Sequence, residues 1–357
     1  VLHKYNIPPT IKPNQIRGFP IVGTPFTNNF GTGQETERQI FKKVGNNYIT
    51  TQKVINNYTT NSVLDLRRSF FNVHLRETYG ANLSFSILDQ ISFYDVTEYY
   101  KRSQWHYLDQ KIEKQYDFNG LDSITTRTNY FYDNTKHLQL TKVETLNSKG
   151  ELITSKTDYP QDLQPPLSLA EQALIDQYRI ATPIKTETTV STSDENGITE
   201  LSKTLQRTNY KDFGNNLILP ETIQTLKGEP TATNTLEPRI IYHDYDDFGN
   251  PLEVSKADGT HIVYIWGYNH SQPIAKIENA TYAQVLSHVP NLQTKSNNDT
   301  HRSVDTINED GVKIYANDSE GNLREALDGL RDTLPNALVT TYTYDPLIGV
   351  TSVTDPR

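Results

Sequence analysis

A five-residue pattern, Y-D-x-x-G, restricts this chain more than any other feature. It occurs as Tyr116-Asp117-Phe118-Asn119-Gly120 and again as Tyr245-Asp246-Asp247-Phe248-Gly249, followed by Asn250. A relaxed copy reads Tyr210-Lys211-Asp212-Phe213-Gly214-Asn215, and Tyr344-Asp345 opens another with Gly349 one place late. Asp318-Ser319-Glu320-Gly321-Asn322 keeps the turn residues without the tyrosine. The spacing has a mechanical origin. Aspartate at the first position of a type I turn accepts backbone N–H bonds from the residues that follow. Glycine at the fourth takes a positive φ and closes a bulge at little steric cost. Tyrosine ends the incoming strand and packs across to its neighbour, worth roughly 0.2–1 kcal/mol as a cross-strand pair. A chain that repeats this unit is built hairpin after hairpin, and stacked hairpins extend a continuous sheet.

Composition supports strands and removes several functions. Of 357 residues 22 are Tyr, whose ring packs on a pleated surface while its hydroxyl stays wet. Hydrophobic residues make up 35%, which suits sheets with one wet face. A net charge of -9, with no run of Lys or Arg, argues against a nucleic-acid partner. The absence of cysteine excludes disulfides, thiolate chemistry and Cys-based zinc sites. No apolar run approaches the roughly 18 residues of a membrane-spanning helix. The chain lacks Met even at position 1 and stops at Val353-Thr354-Asp355-Pro356-Arg357, so it reads as an internal piece of a longer protein.

Five stretches follow along the chain. Residues 1–38 are rich in Pro and Asn and are expected to be extended. Residues 39–115 form a β-rich region, with NYITTQKVINNYTT and ANLSFSILDQISFYDVTEYY dense in β-branched and aromatic residues. Residues 116–278 form the hairpin region, turning at Asn147–Gly150, Asn196-Gly197 and Asp258-Gly259. A short helix near 168–179 interrupts it, announced by the capping box of Ser168 and Glu171. Residues 279–336 are a helical excursion. There ATYAQVLSHV suggests a short helix, and the polar stretch NLQTKSNNDTHRSVDTINEDGVK is expected to be mobile. Leu323, Leu327, Leu330 and Leu334 line one face of a second helix, with Asn322 placed as its cap and Glu325 at N3. Residues 337–357 begin the next repeat. The expected fold is mainly β, with successive antiparallel hairpins forming a curved YD-repeat-like sheet or shell and a few short helices.

Longer segments add a resemblance. YDDFGNPLEVSKADGTHIVYIWGYN resembles a YD repeat of the RHS family. IWGYNHSQPIAKIENATY, LREALDGLRDTLPNALVTTYTYDPLIGVTSVTDPR and HYLDQKIEKQYDFNGLDSITTRTNYFY are similar to segments of long bacterial RHS-repeat proteins, and together they cover most of 105–357. The resemblance implies a shell or spiral of β-hairpins, related in kind to the cocoon of insecticidal toxin-complex proteins and the barrel of teneurins. It implies a secreted or cell-surface protein and a non-catalytic segment. That segment would enclose or display a C-terminal domain, such as a toxin, whose partners are the rest of the same polypeptide. The family's self-cleaving motif has no match in this chain. Full YD copies are few, and the helical excursion interrupts them.

Candidate chemistry is sparse. His243, Asp244, Asp246 and Asp247 could hold calcium or act as acid and base. Turn chemistry on a wet hairpin end accounts for them better, and no distal Glu completes a calcium loop. None of the nine His residues falls in a zinc-binding spacing, and no G-x-S-x-G is present. No cofactor, metal or catalytic residue is therefore expected. Trp105 and Trp266 could stack on sugars in a glycan- or protein-binding module, but aromatic residues of this kind more often clamp a neighbouring hairpin. A glycoside hydrolase would need two convergent carboxylates, and the sequence offers no convincing pair.

Overall fold

In the computed structural model, all residues are described except 8–11, 20, 22–23, 25–31, 76–93, 195–196, 227–235, 301, 346 and 356–357. The protein is mainly β, with antiparallel sheets of successive hairpins. The chain divides into two compact units. Unit 1 is Val1–Asp133, Leu140–Ser155 and Val190–Leu201, and unit 2 is Asn134–Gln139, Lys156–Thr189 and Ser202–Arg357.

Unit 1 carries β1 (Leu2–Tyr5), β2 (Asn14–Arg17), β3 (Glu35–Val44), β4 (Asn47–Thr60), β5 (Leu66–Leu75), β6 (Tyr94–Ser103), β7 (His106–Tyr116), β8 (Ser123–Phe131) and β9 (Lys142–Leu146). One antiparallel sheet runs β1-β3-β4-β7-β8-β9, and a second runs β2-β6-β5. Among the described residues of this unit, Val54 is the one fully buried apolar side chain. Ladder bonds and cross-strand pairs therefore hold it more than a core does. Trp105 takes part in such pairing: its ring lies 4.4 Å from Tyr107 and 5.2 Å from Tyr132. All of ANLSFSILDQISF, expected as strand, lies outside the described residues.

Three strands, β10 (Leu152–Asp158), β11 (Lys185–Asp194) and β12 (Gly197–Asp212), have residues in both units. Asn196 of the expected Asn-Gly turn lies outside the described residues, while Gly197 opens β12 at φ +121°.

Unit 2 continues with β13 (Ile218–Leu226), β14 (Leu236–Tyr245), β15 (Pro251–Lys256), β16 (His261–Gly267), β17 (Gln272–Glu278), β18 (Thr306–Ile307), β19 (Lys313–Ile314), β20 (Leu338–Asp345) and β21 (Gly349–Thr354). Its sheet runs β12-β13-β14-β15-β16-β17-β20-β21, all antiparallel. Helix α1 (Leu169–Asp176) starts at Ser168. The Ser168 hydroxyl accepts the Glu171 N–H at 3.1 Å, and the Glu171 carboxylate accepts the Ser168 N–H at 2.9 Å. Ala170 and Leu174 bury against Ile184 and Ile218. Helices α2 (Tyr282–Val285), α3 (Val289–Asn297) and α4 (Ser319–Thr333) cover the other end. Leu323, Leu327 and Leu330 of α4 join Val263, Ile265, Ile277 and Val339 of the sheet in the main core. Each such leucine contributes roughly 1.5–3 kcal/mol by leaving water.

One expectation changes in this excursion. The motif at Asp318 is a helix start and not a hairpin turn. Asp318 is the N-cap of α4 and accepts the Gly321 N–H at 2.9 Å, four residues before the cap expected at Asn322. A leucine face with a sheet to cover outweighs the local turn preference. Gly321 is there for space: a Cβ on it would lie 1.9 Å from the carbonyl oxygen of Ala316. The polar stretch makes contacts of its own. The Thr300 N–H donates to Ser319 Oγ at 3.1 Å, Ser303 bonds to Glu320 and Asp318, and Lys313 pairs with Asp305 at 3.3 Å.

Candidate functional site

The corners named from the sequence take three forms. At the β7–β8 turn the Asp117 carboxylate accepts the N–H of Asn119 at 3.2 Å and of Leu121 at 3.0 Å. Gly120 donates to the Asp117 carbonyl at 3.2 Å with φ +73°, and Tyr116 pairs with Ser123. At the β14–β15 turn Asp246 Oδ1 accepts Phe248 N–H at 3.0 Å and Asn250 N–H at 2.8 Å, with Gly249 at φ +84°. This second corner also reaches the β16–β17 loop. Asn250 donates to the His270 carbonyl at 2.8 Å, His270 Nδ1 lies 2.9 Å from Asp246 Oδ2, and Phe248 stacks on the His270 ring at 4.7 Å.

The relaxed copy at Tyr210 folds differently. Its turn residues are Asn215 and Asn216, at φ +54° and +64°, closed by Leu217 N–H to the Gly214 carbonyl at 2.9 Å. That is a type I′ turn, for which adjacent asparagines are well suited. Asp212 instead accepts the Gly214 N–H at 2.9 Å. In the last copy, Asp345 accepts Leu347 N–H at 3.1 Å, and Ile348 donates to the Asp345 carbonyl, which leaves Gly349 to open β21 at φ +125°. Two corners use asparagine in the aspartate's place. Asn147 accepts from Lys149 and Glu151, and Asn308 accepts from Asp310 and Val312, with Gly150 at φ +80° and Gly311 at φ +79°.

The corner tyrosines of unit 2, Tyr210, Tyr245 and Tyr344, have a second role that the turn pattern does not reveal. Each sits at a shift in strand register, and so does Trp266. The shifts fall between Asn209 and Tyr210, Asp244 and Tyr245, Ile265 and Trp266, and Thr343 and Tyr344. Three of these rings face a proline on the next strand: Tyr210 faces Pro220, Tyr245 faces Pro251, and Trp266 faces Pro273. The next aromatic then donates to that proline's carbonyl. Tyr245 Oη donates to Pro220 at 2.9 Å, Trp266 Nε1 to Pro251 at 2.9 Å, and Tyr344 Oη to Pro273 at 3.0 Å. Tyr210 Oη donates to Pro183 at 3.3 Å, one step earlier. Proline has no N–H for the ladder and is normally kept out of sheet interiors. A bulge removes the demand for that N–H, and the aromatic donor supplies the carbonyl with a partner. Burial raises the pKa of Tyr210, Tyr245 and Tyr344, so each hydroxyl keeps its proton. The sequence does carry a trace of this ladder, an aromatic followed six to ten residues later by proline across a turn, as in YDDFGNP.

The acidic group around His243 does not converge on a common point. Asp246 is engaged by its own turn, and Asp244 Oδ1 accepts the Tyr245 N–H at 2.9 Å. His243 instead meets Glu253 and His261, one ligand atom of each lying within 4.8 Å of the others. Beside the ladder, Tyr242, Tyr264, Trp266, Pro251 and Pro273 help line an apolar groove of about 420 Å³. Among the described residues, no helix is long and apolar enough to cross a membrane.

No family model matches this chain, and no curated protein matches it. Among solved structures, the crystal structure of TcdB2-TccC3-Cdc42 is similar at 11% identity with a TM-score of 0.42. The match covers 69% of this chain and 14% of that one, so the chain spans a small part of that neighbour's length.

Proposed function

We propose that this chain is a non-catalytic wall segment of a secreted or cell-surface RHS/YD-repeat protein, and that the wall encloses or displays another domain of the same polypeptide. The observation that carries the reading is the aromatic–proline ladder of unit 2. It repeats one structural unit from β12 to β20 and commits the polar atoms of its aromatic residues to backbone carbonyls of prolines. Such a device fixes the pitch and register of a sheet, and those donors serve the backbone instead of a substrate.

A binding module is the second reading, favoured by the apolar groove beside Tyr264 and Trp266. A glycan array run beside urea unfolding of the chain and its Trp266→Phe variant separates the two. A wall gives a loss of about 1–2 kcal/mol in the variant, from a half-buried carbonyl left without its donor, with no saccharide bound by either protein. Saturable glycan binding that Trp266→Phe abolishes at unchanged stability overturns the wall. Reading the encoding gene past Arg357 is a second test, with further Y-D-x-x-G units and an unrelated terminal domain as the expected result.

A further inference from the structure

A separate register shift in the β14–β15 pairing lies between Tyr242 and Asp244, at His243. On the next two strands Ser255 pairs with His261 and Glu253 with Val263, so Glu253 and His261 sit diagonally on one face. His261 Nδ1 lies 2.6 Å from Glu253 Oε1. The rings of His243 and His261 stack at 5.1 Å with their planes 17° apart. His243 Nε2 rests 2.8 Å from Ser255 Oγ. The other carboxylate oxygen of Glu253 accepts the Tyr282 N–H at 2.7 Å, from the start of α2.

We propose that His243, Glu253 and His261 form a site for a first-row divalent cation of the zinc class, which clips β14, β15 and β16 together. Two imidazoles and one carboxylate are the donors such ions prefer, whereas magnesium and calcium favour all-oxygen shells. The donors come from three adjacent strands, so the sheet itself sets their spacing. Tyr282 holds the carboxylate by its second oxygen, the kind of support that orients metal ligands. His243 is exposed and can turn its ring from Ser255 toward the ion without repacking a core. Its exposure leaves a further coordination position open to solvent. The three ligands are remote in sequence, at positions 243, 253 and 261, and match no short zinc motif.

The test is calorimetric titration of chelator-stripped chain with ZnCl2, and with MgCl2 in parallel. One zinc per chain and no magnesium binding are expected. His243→Ala, Glu253→Gln and His261→Ala should each weaken zinc binding by at least the roughly 10–100-fold that loss of a supporting group costs at a metal site. Circular dichroism of His243→Ala should match the wild type. If that variant misfolds, Glu253→Gln decides. Failure of the wild type to bind zinc, or wild-type affinity in the folded variants, overturns the site. Cobalt(II) gives an independent readout: a visible absorption band in the wild type that is lost in His243→Ala supports it, and an unchanged band overturns it.

Discussion

The hydroxyl of Tyr245 donates to the carbonyl oxygen of Pro220 at 2.9 Å, across the β13–β14 pair. Tyr245 at the same time faces Pro251 on the other side, so one residue serves two rungs. Tyr245→Phe keeps the ring and removes the donor. Its expected cost is about 1–2 kcal/mol, because the carbonyl loses a partner in a half-buried setting. Tyr344→Phe should behave alike through Pro273, and urea midpoints at unchanged slope are the measurement. Full wild-type stability in both variants would reduce the ladder to a coincidence of spacing.

The corner glycines separate backbone strain from crowding. Gly249 has φ +84°, and an added Cβ would meet nothing nearer than Leu219 at 3.7 Å. Gly249→Ala should therefore cost only the left-handed conformation, about 1–2 kcal/mol. Gly120→Ala should cost more, because its Cβ would lie 2.7 Å from Ile49 Cγ2 at φ +73°. Thermal unfolding of the two variants gives the order, and a reversal would refute the assignment of strain at these turns.

Two glycines of one helix should respond in opposite directions. Gly329 lies in α4 with nothing within 4 Å of an added methyl, so Gly329→Ala should stabilise by roughly 0.5–1 kcal/mol through helix propensity. Gly321→Ala would place a Cβ 1.9 Å from the Ala316 carbonyl oxygen and should destabilise strongly. Chemical denaturation of the pair checks the N-terminal packing of α4. Equal effects would mean that the approach of Ala316 is not required.

Acid should loosen the β14–β15 corner. Burial raises the Asp246 pKa, but hydrogen bonds from the backbone and side chain of Asn250, from His270 and from the Phe248 N–H outweigh it, and the net shift is downward. A folded-state value below the unfolded one, about 3.9, gives stability that is present at neutral pH and lost as pH falls through the folded value. Unfolding free energy should therefore fall less steeply below about pH 4 in Asp246→Asn than in the wild type. An identical acid limb in both proteins would contradict the depressed pKa.

Much of this architecture could be read from the residues, and the exceptions have physical causes. Asp117–Gly120 and Asp246–Gly249 form the turns their spacing predicts, because an aspartate and a left-handed glycine three apart satisfy one another locally. Asp318–Gly321 has the same letters and caps a helix, because Leu323, Leu327 and Leu330 had a sheet to cover. The polar run before it reads as loose, yet Asn308 and Gly311 make an asparagine version of the same corner. The proline rungs and the meeting of His243, Glu253 and His261 depend on which strands become neighbours. That information is not local, so a pass along the chain does not find it.

The shared rungs bear on how such an array can change length. Pro220, Pro251 and Pro273 each draw on an aromatic from the strand before and another from the strand after. A single residue inserted within one of these strands would turn its ring to the opposite face and strand two prolines at once. A whole hairpin that brings its own ring and its own proline would splice in with every bond remade, so growth and loss in this lineage should proceed in pairs of strands.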